Sequence, residues 1–167
     1  MIFDWKKKLL GLQGMLAERH LRVGVSKVFQ NISDFRAFYT QAMIACSLGT
    51  QMQHPDTVFL YEHYSIFHAL EMLGVHSDLR SYCCDKILLL ETYDETHQSD
   101  LVKSLQAYLD CERSFSKMAQ VLHMHRNTAA YRIDKCKSIM NTDFTDAAEL
   151  FSIQLSLKIL EHTRYRS

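Results

Sequence analysis

The stretch FSKMAQVLHMHRNTAAYRIDKCKSIM, residues 115–140, concentrates the side chains of this chain that could do chemistry. Within residues 123–137 four basic residues stand against one acidic residue, Asp134. Such groups along one helix can bind phosphates, and a guanidinium fork also fits the O6 and N7 atoms of guanine. The candidate contact residues are Ser116, Lys117, His125, Arg126, Asn127, Thr128, Tyr131, Arg132 and Lys135. This local basic excess is typical of a nucleic-acid-binding surface.

Two helices joined by a tight turn must position these side chains. The apolar residues at helical spacing are Phe115, Met118, Ala119 and Leu122 in the first helix, and Ile133, Cys136, Ile139 and Met140 in the second. The turn is predicted at residues 123–124, and the second helix opens at 126–128. This layout predicts a helix-turn-helix, whose second helix enters the DNA major groove. From spacing alone, two packed helices without a DNA-binding role fit equally well.

The segment HMHRNTAAYRIDKCKSI resembles the recognition segment of the PucR/CdaR family of bacterial transcriptional regulators, which typically reads H-x-H-R-N-T-L-x-Y-R-L. The residues on that pattern are His123, His125, Arg126, Asn127, Thr128, Tyr131 and Arg132. Two central positions depart from it, because Ala129 stands where leucine is usual and Ala130 where a larger, often basic residue is common. We expect a weaker clamp between the helices and a base preference that differs from the family's.

Each candidate residue has a predicted role at the DNA. Arg126, at the start of the second helix, is predicted to reach guanine or a phosphate, and His125 a base edge or a phosphate. Asn127 either caps the helix or contacts DNA. Arg132 and Lys135 suit phosphate contacts, where charge matters more than shape. Thr128 is predicted to contact a phosphate or a thymine methyl group, and Tyr131 the DNA backbone or the first helix. Ser116 and Lys117 are predicted to contact flanking phosphates.

The overall composition fits a soluble globular protein of mainly helical structure. Of the 167 residues 47% are apolar and 23% charged, and one proline with five glycines favours helices. The net charge is zero, so it gives no indication of a nucleic-acid partner. Five scattered cysteines lack zinc-ligand spacing and predict reduced thiols. Without an 18-residue apolar run, we expect a cytoplasmic protein with no membrane association.

Other chemistry finds no support in the sequence. His123 and His125 lie two residues apart, and His63 and His68 five apart, so neither pair has the i, i+4 spacing of a helical zinc site. Walker A, GxSxG, GxGxxG and HExxH motifs do not occur. We therefore predict no catalytic residues, no metal site and no cofactor.

Residues 1–62 predict helix, strand, helix and strand. Trp5, Leu9, Leu12 and Leu16 indicate an opening amphipathic helix. The predicted strands are Leu21, Val23 and Val25 with their polar neighbours, and TVFLY at residues 57–61. Between them Ser33 and Asp34 are predicted to cap a helix that carries Phe35, Phe38, Ala42 and Ala45. Two strands make a poor sheet alone, so we expect a remnant or strands borrowed from a partner.

The stretch RVGVSKVFQNISDFRAFYTQAMIACSLG is similar to the latter half of the cyclase-like α/β domain that precedes the helix-turn-helix in these regulators. The resemblance implies a partial cyclase-like segment at 1–62, without cyclase activity. We expect connecting helices at 63–98, with Gly74 as a C-terminal cap, one helix over 78–93 and a polar boundary at 92–99. A helix-turn-helix domain follows at 99–167, in which Ser99 is predicted to cap the first helix. The expected fold class is mainly α, with a partial α/β portion before a helical bundle.

The last predicted helix, 146–162, has a wide apolar face that includes Phe151 and Leu155, so we expect burial on two sides. We predict sequence-specific transcriptional regulation by a homodimer on operator DNA. The alternative is a protein-interaction or dimerisation module that has lost DNA binding, and a weaker one is a degenerate cyclase-related enzyme part. We expect a C-terminal fragment of a longer regulator, whose effector, if any, is sensed upstream.

Overall fold

The computed structural model describes residues 8–9 and 11–166 of the chain. It is mostly helical with one small parallel sheet, which confirms the predicted fold class. The chain folds as two compact units, one before Ser77 and the other at Ser77–Arg164. The three-part domain division predicted from the sequence stays a prediction. In the described part of the chain, no helix has the length and apolarity that crossing a membrane requires.

The first unit contains a strand–helix–strand arrangement flanked by two helices. Its elements are α1 (Gln13–Glu18), β1 (Val23–Val25), a 3₁₀ turn (Ile32–Asp34), α2 (Phe35–Gln51), β2 (Val58–Leu60) and α3 (Tyr61–Gly74). The two strands pair in parallel, with Val23 opposite Val58 and Val25 opposite Leu60. Parallel strands cannot be joined by a tight hairpin, so α2 serves as the crossover between them.

Helix α2 lies directly on this sheet because glycines remove side chains at the contact. A Cβ atom added to Gly24 of β1 would lie 1.8 Å from the carbonyl oxygen of Ala42 in α2. A Cβ atom added to Gly49 of α2 would lie 2.2 Å from the ring of Phe59 in β2. Phe59 itself is buried. The close approach of helix and sheet therefore depends on both glycines.

Several local predictions for the first unit are wrong. Ser33 and Asp34 do not cap α2, because the backbone at Asp34 is already helical (φ −87°, ψ −6°) and its side chain bonds no helix N–H. Capping requires an extended backbone at that position. Gly74 is the last residue of α3 rather than its cap, and Val75 after it is still helical (φ −67°, ψ −31°). Phe35 lies in α2 as predicted, where its ring is exposed and stacks on Tyr39.

The predicted strands are shorter in the structure. Of the predicted opening helix, the structure describes residues 8–9, which are helical, and residues 11–16, which begin with a turn at 11–12. Helix α1 begins at Gln13, where Leu16 is buried and Leu12 precedes the helix. Trp5 lies outside the described residues. Leu21 lies before β1 and is exposed, so the strand keeps only Val23, Gly24 and Val25 of the predicted alternation.

The second unit is a helical bundle. Its elements are a 3₁₀ turn (Leu79–Tyr82), α4 (Asp85–His97), α5 (Leu101–Asp110), α6 (Phe115–Val121), α7 (Arg126–Met140) and α8 (Ala147–Arg166). The single helix predicted over 78–93 is wrong, because the backbone is extended at Cys83 and Cys84. The Cys84 N–H donates to Ser156 Oγ of α8 at 2.9 Å instead of to a helix carbonyl.

The core of this unit is apolar and draws on every helix. Its fully buried side chains include Ile87, Leu90, Leu105, Met118, Ile133, Met140, Ile153 and Ile159. The wide apolar face predicted for α8 is only partly correct, since Phe151 is 66% exposed and Leu155 is half-buried. Most of the polar stretch at 92–99 lies within α4.

The cap at the start of α5 is Asp94 rather than the predicted Ser99. The Asp94 carboxylate accepts hydrogen bonds from the N–H groups of Leu101 and Val102, each at 2.8 Å. Ser99 Oγ donates to the same carboxylate at 2.5 Å. Gln98, in the left-handed region (φ 51°), ends α4 and reverses the chain, which brings Asp94 to the first turn of α5. A negative charge there also complements the dipole of α5.

We expect Asp94→Ala to lower the free energy of unfolding by about 2–3 kcal/mol, because two helix N–H groups lose a charged acceptor. Chemical denaturation followed by circular dichroism measures this change. Asp100→Ala is the matched control, since Asp100 occupies the N-cap position of α5 without a side-chain hydrogen bond to the helix. Equal destabilisation by the two substitutions would contradict the assignment of the cap to Asp94.

Candidate nucleic-acid interface

Helices α6 and α7 pack against each other and are joined by a tight turn at residues 122–125. The Met124 N–H donates to the carbonyl of Ala119 at 2.9 Å, and the His123 N–H donates to that of Gln120 at 3.3 Å. His123 has a left-handed backbone (φ 50°). These features define a Schellman motif in which His123 holds the position that glycine usually takes. The predicted turn at residues 123–124 is present.

Small side chains allow the two helices to approach closely. Ala119 of α6 is 7% exposed and Ala129 of α7 is completely buried. The buried stripe of α7 consists of Ala129, Ile133, Cys136 and Met140. Ile139, predicted to face inward with them, is only half-buried. The departure from the family pattern at Ala129 therefore lies inside the helix interface and not on the surface.

His125 caps α7, a role that the sequence left open for Asn127. Its Nδ1 atom accepts the Asn127 N–H at 3.2 Å, and its backbone is extended (φ −71°, ψ 145°). A neutral imidazole that accepts at Nδ1 carries its proton on Nε2. His125 can therefore hold the start of α7 and donate from Nε2 at the same time. The side chain of Asn127 is left exposed for another partner.

The start of α7 presents polar side chains to solvent. Arg126, Asn127 and Thr128 are all exposed, and Tyr131 is 67% exposed. Asn127, Tyr131, Asp134 and Ser138, spaced by four, three and four residues, share one face of the helix opposite the buried stripe. Asp134 and Ser138 were not among the predicted site residues, although this spacing could have identified them.

Arg132 and Lys135 also make contacts within the unit. Arg132 Nη1 donates to Ser104 Oγ at 3.0 Å, and Ser104 is completely buried. Lys135 Nζ lies 5.3 Å from the centroid of the Tyr93 ring, in a cation–π contact. Both side chains are half-buried. Their phosphate contacts stay a prediction, and either substitution would also disturb the packing of α7.

The two predicted residues on α6 differ in their surroundings. Ser116 is exposed. Lys117 Nζ lies 2.6 Å from Glu112 Oε2, and this hydrogen bond raises the pKa of the lysine. Both partners are largely exposed, so water competes with the pair and a DNA phosphate could replace the carboxylate.

A charged network fixes the far end of α7. Lys86 Nζ donates to the carbonyl of Asn141 at 3.1 Å and to the Glu149 carboxylate, which also accepts from Thr142 Oγ1. These hydrogen bonds, first that from Lys86, lower the pKa of Glu149. Asn141 ends α7 in the left-handed region (φ 47°), a conformation that asparagine tolerates. The helix is therefore held at both ends while its exposed face stays open.

Burial makes the thiol of Cys136 a marker for the packing of α7. Desolvation raises its pKa to about 12, against a value of about 8.5 for a free thiol. Below pH 8.5 the thiol is neutral in both the folded and the unfolded state, and its contribution to stability is fully present. As the pH rises towards 12 that contribution is lost, because the unfolded chain ionises while the folded one does not. We expect wild type to lose about 2 kcal/mol more between pH 7 and 10 than Cys136→Ala. Denaturation at both pH values checks this, and Cys111→Ala, which removes a half-buried thiol, should behave as wild type.

Residues 101–159 match the model of the PucR C-terminal helix-turn-helix domain. This segment is similar to PucR-type helix-turn-helix domains. The resemblance to the C-terminal region of PucR/CdaR-family regulators is thereby confirmed. The match covers α5, α6, α7 and most of α8 and leaves out residues 1–100, so the cyclase-like assignment of the first unit stays a prediction.

Three relatives from Bacillus subtilis (strain 168) are similar to most of the chain. The DNA-binding transcriptional activator AdeR is 22% identical over 161 residues, which cover 93% of this chain and 38% of AdeR. The purine catabolism regulatory protein is 25% identical over 142 residues (85% and 26%), and the proline-responsive transcriptional activator PutR 21% over 140 residues (83% and 34%). The chain thus spans between about a quarter and two-fifths of their lengths. No solved structure matches it.

The names of these relatives describe regulators, which supports the prediction that this chain is not an enzyme. Among the residues that the structure describes, no three histidine, cysteine, aspartate or glutamate side chains are grouped as metal ligands. The match to a helix-turn-helix domain makes the exposed polar face of α7 the candidate functional surface of the second unit.

Proposed function

We propose that this chain binds double-stranded operator DNA in a sequence-specific manner and regulates transcription. The observation that carries the proposal is the exposed, polar start of α7 on a PucR-type helix-turn-helix framework. In such frameworks the second helix enters the major groove and its first residues meet base edges. AdeR, a similar protein, is named as a DNA-binding activator.

The exposed residues divide naturally by chemistry. Arg126 would read guanine or hold a phosphate, and Asn127, freed from capping by His125, fits the N6 and N7 atoms of adenine. Thr128 and Tyr131 offer hydroxyl groups to phosphates. Contacts from the helix flanks are proposed for Ser116, Lys117, His125, Arg132 and Lys135.

We propose further that two copies act together. One recognition helix offers only a handful of contacts, and helix-turn-helix proteins commonly add a second copy one DNA turn away, about 34 Å. The expected operator is therefore a pseudo-palindrome bound by two chains. A complex of one chain per operator, measured by analytical ultracentrifugation, would contradict the dimer but not DNA binding itself.

Selection of bound fragments from a random DNA pool, followed by affinity measurements at several salt concentrations, tests the proposal. If each chain neutralises about four phosphates, the slope of log K against log salt should be about −7 for the dimer. A protein-interaction module that has lost DNA binding would enrich no sequence. An affinity that does not change with salt would rule out the proposed mechanism.

A further inference from the structure

A cavity of about 310 Å³ lies next to the turn of the helix-turn-helix and is lined by the start of α5, the turn and α7. Its walls include three nitrogen-bearing side chains from three different segments: Lys103 of α5, His123 of the turn and Arg132 of α7. Neither Lys103 nor His123 belongs to the set of DNA contacts predicted from the sequence. The cavity thus gathers donors that the pattern of α7 alone does not reveal.

Arg132 is held in place for binding. One N–H of its guanidinium donates to Ser104 Oγ, which lies in the same cavity wall. Ser104 Oγ in turn donates to the carbonyl of Asp100 at 2.7 Å, so its lone pair is directed to the arginine. A guanidinium has five N–H groups in a rigid fork, and this contact uses one. The others remain available in a fixed orientation.

Lys103 and His123 are exposed, and neither side chain has a hydrogen bond or ion pair with another described residue. Lysine contributes a full positive charge, and histidine contributes an N–H donor in either protonation state. The start of α5 adds little positive potential, because the Asp94 carboxylate already accepts the N–H groups of Leu101 and Val102. Asp100 also lines the cavity and opposes an anion, so the net charge of the wall is positive but small.

We propose that this cavity binds a phosphate group, with the Arg132 fork on two of its oxygens and Lys103 and His123 on the others. The group could belong to the DNA backbone beside the recognition helix or to a free phosphorylated compound. The first source rests on the proposed function, whereas the second does not. In both cases the recognised chemistry is a tetrahedral oxyanion.

Titration of the full chain with inorganic phosphate, followed by NMR, tests the site without DNA. We expect saturable shifts at residues 103, 123 and 132, and an affinity lowered on the order of tenfold by Lys103→Gln. His123→Asn should weaken binding while keeping the turn, because asparagine suits the left-handed position. Asp100→Asn should strengthen binding. Lys27→Gln, an exposed lysine in the first unit, controls for the change in net charge.

Operator binding distinguishes the two sources. If the site takes a DNA phosphate, Lys103→Gln should reduce the salt slope by about 0.9 per chain at every sequence tested. If it takes a free compound, phosphate binding should depend on Lys103 while the salt slope stays unchanged. If Lys103→Gln and His123→Asn are both folded and keep both the phosphate affinity and the salt slope of wild type, the proposal is overturned. If wild type binds no DNA, the proposed function fails and the phosphate titration alone decides the site.

Discussion

Gly24→Ala is expected to disrupt the α/β unit, with a loss of about 3 kcal/mol or more in its free energy of unfolding. The added Cβ would lie 1.8 Å from the carbonyl oxygen of Ala42 and 2.8 Å from its carbonyl carbon. Both atoms belong to the backbone of α2, so no rotation of a side chain can relieve the overlap. The strand must leave the helix, and β1 is only three residues long.

Gly14→Ala is the matched control because it makes the same chemical change without an obstacle. Gly14 lies in α1, and no described residue has an atom within 4 Å of its added Cβ. Alanine lowers the entropy of the unfolded chain and favours the helix, so this variant should gain about 0.5–1 kcal/mol. Chemical denaturation with NMR signals from each unit measures both changes. An unaltered first unit in Gly24→Ala would contradict the packing of α2 on β1.

The helix-turn-helix was predictable because its signals are local. Apolar residues at helical spacing, a turn at 123–124 and a polar helix start all lie within about 25 residues, and helices α6 and α7 begin at the positions that the pattern indicates. The two strands were also visible, since alternation and β-branched residues act over a few positions. Neither signal depends on where the rest of the chain lies.

The errors arise where a distant residue decides the local structure. The helix predicted over 78–93 breaks because Cys84 bonds to Ser156, more than seventy positions later. Asp94 caps α5 from another helix, which no pattern at the start of α5 indicates. The polar stretch after residue 92 continues as helix because Ile87 and Leu90 anchor α4 in the core. Such effects follow from tertiary packing, which overrides local preference.

In the candidate site, too, the features that local sequence decides were predicted, and those that distant residues decide were not. Exposure of Arg126, Asn127 and Thr128 agrees with the motif, since the start of a helix after a turn is open to solvent. The inward contacts of Arg132 and Lys135 depend on Ser104 and Tyr93, which belong to other helices. The pattern in the sequence therefore indicated which residues at the start of the second helix are exposed. It did not separate the side chains that are free from those that also hold the fold together.

This separation determines which substitution tests DNA binding cleanly. Arg132→Ala would leave the hydroxyl of Ser104, completely buried, without its donor, so a loss of binding could reflect a loss of structure. Arg126 is exposed, and no hydrogen bond or ion pair joins its side chain to another described residue. Its replacement should change the free energy of unfolding by no more than about 0.5 kcal/mol.

Arg126→Ala is expected to weaken operator binding by about 10- to 100-fold, corresponding to about 1–3 kcal/mol for one lost bidentate contact. Arg126→Lys separates the two possible targets. If Arg126 reads guanine, lysine loses the fork and relaxes the preference at one base pair, whereas at a phosphate it keeps most of the affinity. Arg36→Ala, an exposed arginine in the first unit, controls for net charge. Wild-type affinity of a folded Arg126→Ala protein would contradict the proposed contact between Arg126 and DNA.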